Sequence, residues 1–187
     1  MSFQQDLDYS HAASDSPVWE SIYRSAFPTF LQMVDCRELG DHQRKGIDRI
    51  IVLRNAKAIT VDEKVRRQYF PIAPNLGGFD VALEYISVDR HPQKPGWVCN
   101  PDITADYIAY CVSPAGKGVL LPVVQLQSAW EKKKEEWFKK YKPRKTHSFR
   151  NKGYSTHFLP VPVNEIMRHI GSELRVSFAP NTLNEKG

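Results

Sequence analysis

Asp48, Asp62 and Lys64 are the residues whose types and spacing could do chemistry. They lie in the stretch Gly46 to Arg67, GIDRIIVLRNAKAITVDEKVRR, where two apolar runs flank the polar connection Arg54-Asn55-Ala56-Lys57. That pattern predicts a β-hairpin, with arms over Ile50–Leu53 and Ala58–Val61. Asp48 enters the first arm and Asp62 leaves the second. Side chains alternate faces along a strand, so Asp62 and Lys64 should share one face while Val61, Glu63 and Val65 take the other. Such a hairpin can bring two carboxylates and an ammonium together. Two carboxylates can hold one or two hard divalent cations, Mg²⁺ or Mn²⁺, which lower the pKa of bound water and neutralise a phosphate. Lys64 would orient that water, help deprotonate it, or stabilise developing charge. The chemistry served by such a group is hydrolysis of a phosphodiester.

A surface hairpin with an ordinary salt bridge would carry the same three charges. It would leave unexplained why both acids stand where the apolar arms stop. Glu84 is a further candidate. It lies on a strand expected over 80–89, on the same face as Ala82 and Ile86, and an acid on an apolar stripe is costly to bury without a partner. Glu20, on the first helix, reads better as an ordinary helical acid.

The elements that must position these residues follow from periodicity and punctuation. Ser16-Pro17 reads as a cap and first turn for a helix continuing to Phe27, which Pro28 ends. TFLQMVDCREL reads as a short helical or irregular segment, and His42–Gly46 as a basic turn. Strands are expected over 80–89 and 105–113, with a return strand over 119–124. A charged helix runs from Gln127 to about Tyr141, where Pro143 stops it. The stretch 142–157 is basic and turn-rich. FLPVPV (158–163) reads as an edge strand because its prolines cannot donate to a ladder. Asn164 would cap a final helix, EIMRHIGSEL. This order predicts an α/β (α+β) fold with a mixed central sheet flanked by helices. Residues 1–15 read as a loosely attached arm, 16–177 as a single domain and 178–187 as a frayed tail.

Length and composition bound the rest. The 187 residues suit one domain of moderate size, and 41% hydrophobic with 25% charged residues points to a globular chain. No apolar run approaches the ~20 residues that cross a bilayer, and the N-terminus lacks a basic region followed by an apolar one. A cytoplasmic protein without a membrane partner is therefore expected. The three cysteines are far apart and odd in number, which argues against a disulfide framework or a cysteine zinc site. The six histidines make no metal-binding spacing, and there is neither a Gly-rich phosphate loop nor a G-x-S-x-G elbow.

The net charge of +5 is compatible with a polyanionic partner. Lys132–Lys140 alternate with Glu131, Glu135 and Glu136, as on a solvated helix face. KPRKTHSFRNK has no acid at all. Its Lys142, Arg144, Lys145, Arg150 and Lys152 are therefore expected to contact the phosphate backbone. Arg44-Lys45 and Arg66-Arg67 flank the hairpin and would line the mouth of the same site.

A helix, then Asp48 at the start of a strand, then Asp62-Glu63-Lys64 at the end of the next, together resemble the PD-(D/E)XK nuclease superfamily. That group includes restriction enzymes, archaeal-type Holliday junction resolvases and lambda-type exonucleases. The motif's first acid falls on Asp48, its D/E position on Asp62 and its lysine on Lys64, while Ile47 stands where the motif has proline. In element order the match covers residues 17–125. The resemblance implies a restriction endonuclease-like core and Mg²⁺- or Mn²⁺-dependent cleavage of DNA, as an endonuclease or exonuclease. Asp48 and Asp62 would hold the metal, Lys64 would serve the water and Glu84 would assist. It also implies kinship with compact phage or mobile-element enzymes, and a homodimer where two strands are cut. The alternative is a non-catalytic nucleic-acid-binding or protein-interaction member of the same fold. A structural or regulatory protein without nucleic acid is the third reading.

Overall fold

The computed structural model describes residues 17–66, 79–113, 116–147, 153–170 and 175–177. It is a mixed α+β structure. In chain order its elements are α1 (Val18–Ala26), β1 (Phe30–Asp35), α2 (Gly40–Arg44), β2 (Arg49–Leu53), β3 (Ala58–Arg66), β4 (Asp80–Val88) and β5 (Lys94–Pro95). These are followed by β6 (Tyr107–Val112), β7 (Lys117–Pro122), α3 (Val123–Lys140), β8 (Arg144–His147), β9 (Ser155–Pro162), α4 (Val163–Ile170) and β10 (Arg175–Ser177). They fall into two compact units.

One unit holds α1, α2 and a six-stranded sheet in the order β1-β2-β3-β6-β7-β10. β1, β2 and β3 form an antiparallel meander. β6 then runs parallel to β3, from Val61↔Tyr107 to Arg66↔Val112, so the sheet is mixed. The meander forms because β2 alternates, burying Arg49, Ile51 and Leu53 while Ile50 and Val52 are half-buried. On one face α1 lays Val18, Trp19, Ile22 and Tyr23 against Phe30, Ile51, Leu53, Val61, Ala109, Cys111 and Leu120. That spacing is one stripe of a helix, and Pro17 precedes its first turn, where a missing N–H costs nothing. Each large apolar side chain so buried contributes about 1.5–3 kcal/mol. On the other face Ile108, Tyr110, Val112, Val119 and Leu121 are also buried. β6 and β7 accordingly read as continuous apolar runs.

The other unit holds α3, α4 and an antiparallel sheet in the order β5-β4-β9-β8. Val81, Leu83, Leu159 and Val161 are fully buried in it. Trp130 of α3 stacks on Tyr85 of β4 with centroids 6.0 Å apart.

Several expectations change. Residues 30–35 form a strand, β1, where a helical or irregular segment was expected. FLQMVD has no decisive period, and pairing with β2 decides its state. The basic turn contains a short helix, α2. The second hairpin arm continues to Arg66, so Asp62 and Lys64 lie inside β3 and not beyond its end. β9 is paired on both sides and is not an edge strand. Its prolines are tolerated because β8 reaches only Ser155–Phe158, leaving Pro160 and Pro162 with β4 as their single neighbour. In β4, Tyr85 is an extra residue between the pairs Glu84↔Phe158 and Ile86↔His157. This bulge turns Ile86 to the face opposite Glu84. The charged helix starts earlier, at Val123, and Asn164 lies inside α4 instead of capping it. The arm 1–15 and the tail 178–187 lie outside the described residues. Among the described residues no helix is long and apolar enough to cross a membrane.

Candidate active site

The β2–β3 ladder stops at Arg49↔Val61. β3 continues for five more residues, held on its other side by β6. Asp48 is therefore the first residue before β2, level with the stretch of β3 that has lost its β2 neighbour. Its N–H donates to the Val61 carbonyl at 2.8 Å. Its carboxylate then takes the place of the missing strand: the Glu63 N–H donates to Asp48 Oδ2 at 2.8 Å.

Asp62 and Lys64 stand beside Ile108 and Tyr110 of β6 on one face of β3. The Lys64 ammonium closes on Asp62 Oδ1. The Asp62 side chain is only 4% exposed. Burial pushes its carboxyl up to about 6, against the downward pull of Lys64, and Asp48 pushes it further up. The second oxygen of Asp62 looks toward Gly46, whose backbone has φ +67°. A Cβ on Gly46 would come within 3.6 Å of Asp62 Oδ2 and 3.2 Å of Ile103. Glycine here supplies the left-handed turn and leaves space beside the carboxylate. The Lys45 backbone carbonyl accepts the Thr104 N–H at 2.9 Å, which ties the 102–106 loop to this turn.

Glu63 points to the other face, toward α1. The Tyr23 hydroxyl donates to its Oε1 at 2.7 Å, and Arg49 Nε lies 3.4 Å from the same oxygen. The side chains of Arg49 and Glu63 are 6% and 2% exposed. Burial pushes the Glu63 carboxyl up to about 7, with Arg49 and Tyr23 pulling it down. Burial first, and the Glu63 charge second, hold the Tyr23 hydroxyl well above its usual range. Since the Glu63 side chain is enclosed, what of this residue is exposed is main chain. That main chain faces the edge where β2 has ended, because its N–H meets Asp48 there.

The other sequence candidates are placed as follows. Glu84 lies on β4, in the other unit, opposite Phe158 of β9. Glu20 is exposed on α1 and pairs with Arg24 one turn on. Arg44 and Lys45 are exposed near the turn into β2, Arg44 paired with Asp41. Arg66 ends β3 opposite Val112. Lys142, Arg144 and Lys145 are exposed, the last two on β8. Arg67, Arg150 and Lys152 lie outside the described residues. Arg49, Gly46 and Tyr23 were not singled out by sequence. The one signal was that Arg49 directly follows Asp48.

Asp48 and Asp62 are the residues that could hold a hard cation. Among the described residues no group of three or more His, Cys, Asp or Glu forms a cage. Mg²⁺ takes one or two carboxylates and completes its shell with waters. Asp48 and Asp62 offer that pair, and the charge of Asp48 already raises the proton affinity of Asp62. No family model, curated protein or solved structure matches the chain.

Proposed function

We propose that this chain is a Mg²⁺- or Mn²⁺-dependent nuclease of the PD-(D/E)XK type, hydrolysing phosphodiester bonds in DNA. The observation that carries the reading is the gathering of Asp48, Asp62 and Lys64 where β2 stops and β3 runs on. A mixed sheet with a helix packed on one face agrees with the restriction endonuclease-like core that the reading requires.

When bound, the cation supplies a water of lowered pKa and neutralises charge on the phosphate. The chain's own residues do the rest. Asp48, one oxygen held by the Glu63 N–H, keeps its other oxygen for the cation. Asp62, one oxygen taken by Lys64, keeps the oxygen beside Gly46. The Glu63 carbonyl, at the bare edge of β3, is a further oxygen of the right kind for a hard cation. Lys64, pinned to Asp62, holds a positive charge where a water or a phosphate oxygen can take a hydrogen bond. Lys142, Arg144 and Lys145 offer exposed cations to the DNA backbone.

The test is cleavage of duplex, branched and single-stranded DNA at low salt with Mn²⁺ or Mg²⁺. Wild-type protein should cut at least one form, and Asp62→Ala should abolish cutting while DNA affinity stays within about threefold. A wild-type protein that cuts none of them overturns the reading. Binding with a steep salt dependence but without cutting would favour a non-catalytic DNA-binding protein, the reading that the exposed Lys142, Arg144 and Lys145 also support.

A further inference from the structure

On the face of β3 away from Asp62 and Lys64, Glu63 is a carboxylate where the fold calls for an apolar side chain. Its neighbours on that face are Val61, Val65 and, across on β6, Ala109, all packed with or beside the α1 core. Enclosing a charged pair is a weak source of stability: a hydrophobic pair of the same volume commonly does as well or better. The Glu63 Oε2 atom is also buried without a hydrogen-bond partner, a further cost that a valine would avoid. An acid at this position therefore needs a reason other than filling the core.

The reason is visible in what the ladder lacks. The Arg49↔Val61 pair ends the β2–β3 ladder, and one backbone bond, from the Asp48 N–H to the Val61 carbonyl, lies just beyond it. Past that bond two side-chain links hold the chain leading into β2 to β3, and both converge on Glu63. Its N–H is taken by Asp48, and its carboxylate faces the charge of Arg49, the next residue along, with Nε 3.4 Å from Oε1 in an ion pair that is not a hydrogen bond. Residues 48 and 49 thus grip residue 63 at its main chain and at its side chain. Tyr23 fixes the carboxylate from α1, and Arg49 reaches on to Asp35 of β1 at 3.2 Å, itself held by Arg37. We propose that Glu63 is a positioning residue, clamped by Arg49 and Tyr23 so that the Asp48 carboxylate is held at a fixed separation from Asp62. This deepens the nuclease reading and rests on it for the identity of the ligand, a divalent cation shared by the two aspartates. The role of the Glu63 side chain, in the middle of Asp62-Glu63-Lys64, is then to set the distance between the acids, without itself touching substrate or metal.

The experiment uses the full chain and two substitutions, Glu63→Met, which fills the volume without charge, and Glu63→Gln, which keeps the Tyr23 hydrogen bond. Two readouts are taken on folded protein whose thermal midpoint is recorded alongside. The first is Mn²⁺ affinity by calorimetric titration, with Asp62→Ala as the reference for a lost ligand. The second is hydrogen exchange at the residue-63 amide without metal, which reports whether Asp48 still caps it. Glu63→Met should lower the thermal midpoint, because Arg49 and the Tyr23 hydroxyl lose a buried partner, weaken Mn²⁺ binding about tenfold or more, and speed exchange at amide 63 relative to the β2–β3 ladder amides. Glu63→Gln should fall between. Wild-type Mn²⁺ affinity together with wild-type exchange in Glu63→Met overturns the proposal. If exchange speeds up but neither wild-type protein nor Asp62→Ala binds Mn²⁺, the clamp stands and the metal reading alone falls. If wild type binds Mn²⁺ through Asp62 but Glu63→Met binds it equally well, the clamp has no role in the site.

Discussion

The Asp48 carboxylate accepts the Glu63 N–H at 2.8 Å, the place a strand neighbour would fill had β2 begun two residues earlier. One oxygen of Asp48 is therefore structural, and its carboxyl also acts on Asp62, whose proton affinity it raises. Asp48→Ala should cost about 1–3 kcal/mol by leaving a donor unmade and should also abolish divalent-ion binding. Asp48→Asn keeps an acceptor for the N–H and loses the charge. It should unfold in urea closer to wild type than Asp48→Ala does, yet show no cleavage. Equal stabilities for the two variants would mean that the hydrogen bond contributes nothing.

Metal-free stability should fall as pH rises from about 4 to 7. Asp62 and Glu63 have folded pKa values raised by burial, to about 6 and about 7, from ordinary values of 3.8 and 4.5. The unfolded chain releases these protons at lower pH than the folded one. The stability they provide is thus complete below their ordinary values and is lost as pH passes through 6 and 7. Asp35 works in the opposite sense. Arg37 holds its carboxyl down at about 2, so its contribution is lost only as pH falls below about 4. Thermal midpoints measured between pH 4 and 8 in chelator should slope downward, and Mn²⁺ should lift the alkaline end. A profile that rises across this window would contradict the burial of both acids.

Gly46→Ala puts a methyl on a left-handed backbone, which costs about 1–2 kcal/mol. It also presses on Ile103 at 3.2 Å, beside Asp62 Oδ2. The expected result is a lowered thermal midpoint together with weaker Mn²⁺ binding by titration. Loss of stability with unchanged metal affinity would place the cation away from this oxygen.

Replacing Lys142, Arg144 and Lys145 together by alanine should weaken DNA binding without changing the folded structure, since all three are exposed. The slope of log affinity against log salt should become shallower by about 0.9 for each phosphate contact removed. Fluorescence anisotropy across a salt series measures it. An unchanged slope would exclude this segment from the DNA surface.

How much of this was legible in the sequence depends on the range of the forces. The pairing of Ile51 with Ile59 and of Val52 with Ala58 is local, and strict alternation around a short polar connection announces it. The shared face of Asp62 and Lys64 follows from the same period of two. β1 could not be read, because Leu31, Gln32 and Met33 fit a helix as well as a strand and only β2 decides. β8 was hidden in Arg144-Lys145-Thr146-His147, whose polar character signals a turn until β9 pairs with it. The grip of Arg49 and Tyr23 on Glu63 joins residues up to 40 positions apart and leaves no local trace. Nor does a linker mark the two units, because the chain passes between them more than once.

β3 acquires its two neighbours at very different times. β2 lies one short turn away, and a hairpin of this kind closes in about 1–10 μs. β6 comes much later in the chain: Thr60 and Asp106, which share hydrogen bonds of 2.7 and 2.8 Å at the start of the β3–β6 junction, are 46 residues apart. At a synthesis rate of about 5–20 residues per second, a gap of that size takes roughly 2–9 s to emerge from the ribosome. Until then the strand carrying Asp62 and Lys64 has one edge with no partner, a template for pairing with other nascent chains. The strand given the proposed chemistry is thus a natural place for a holding chaperone to engage during translation.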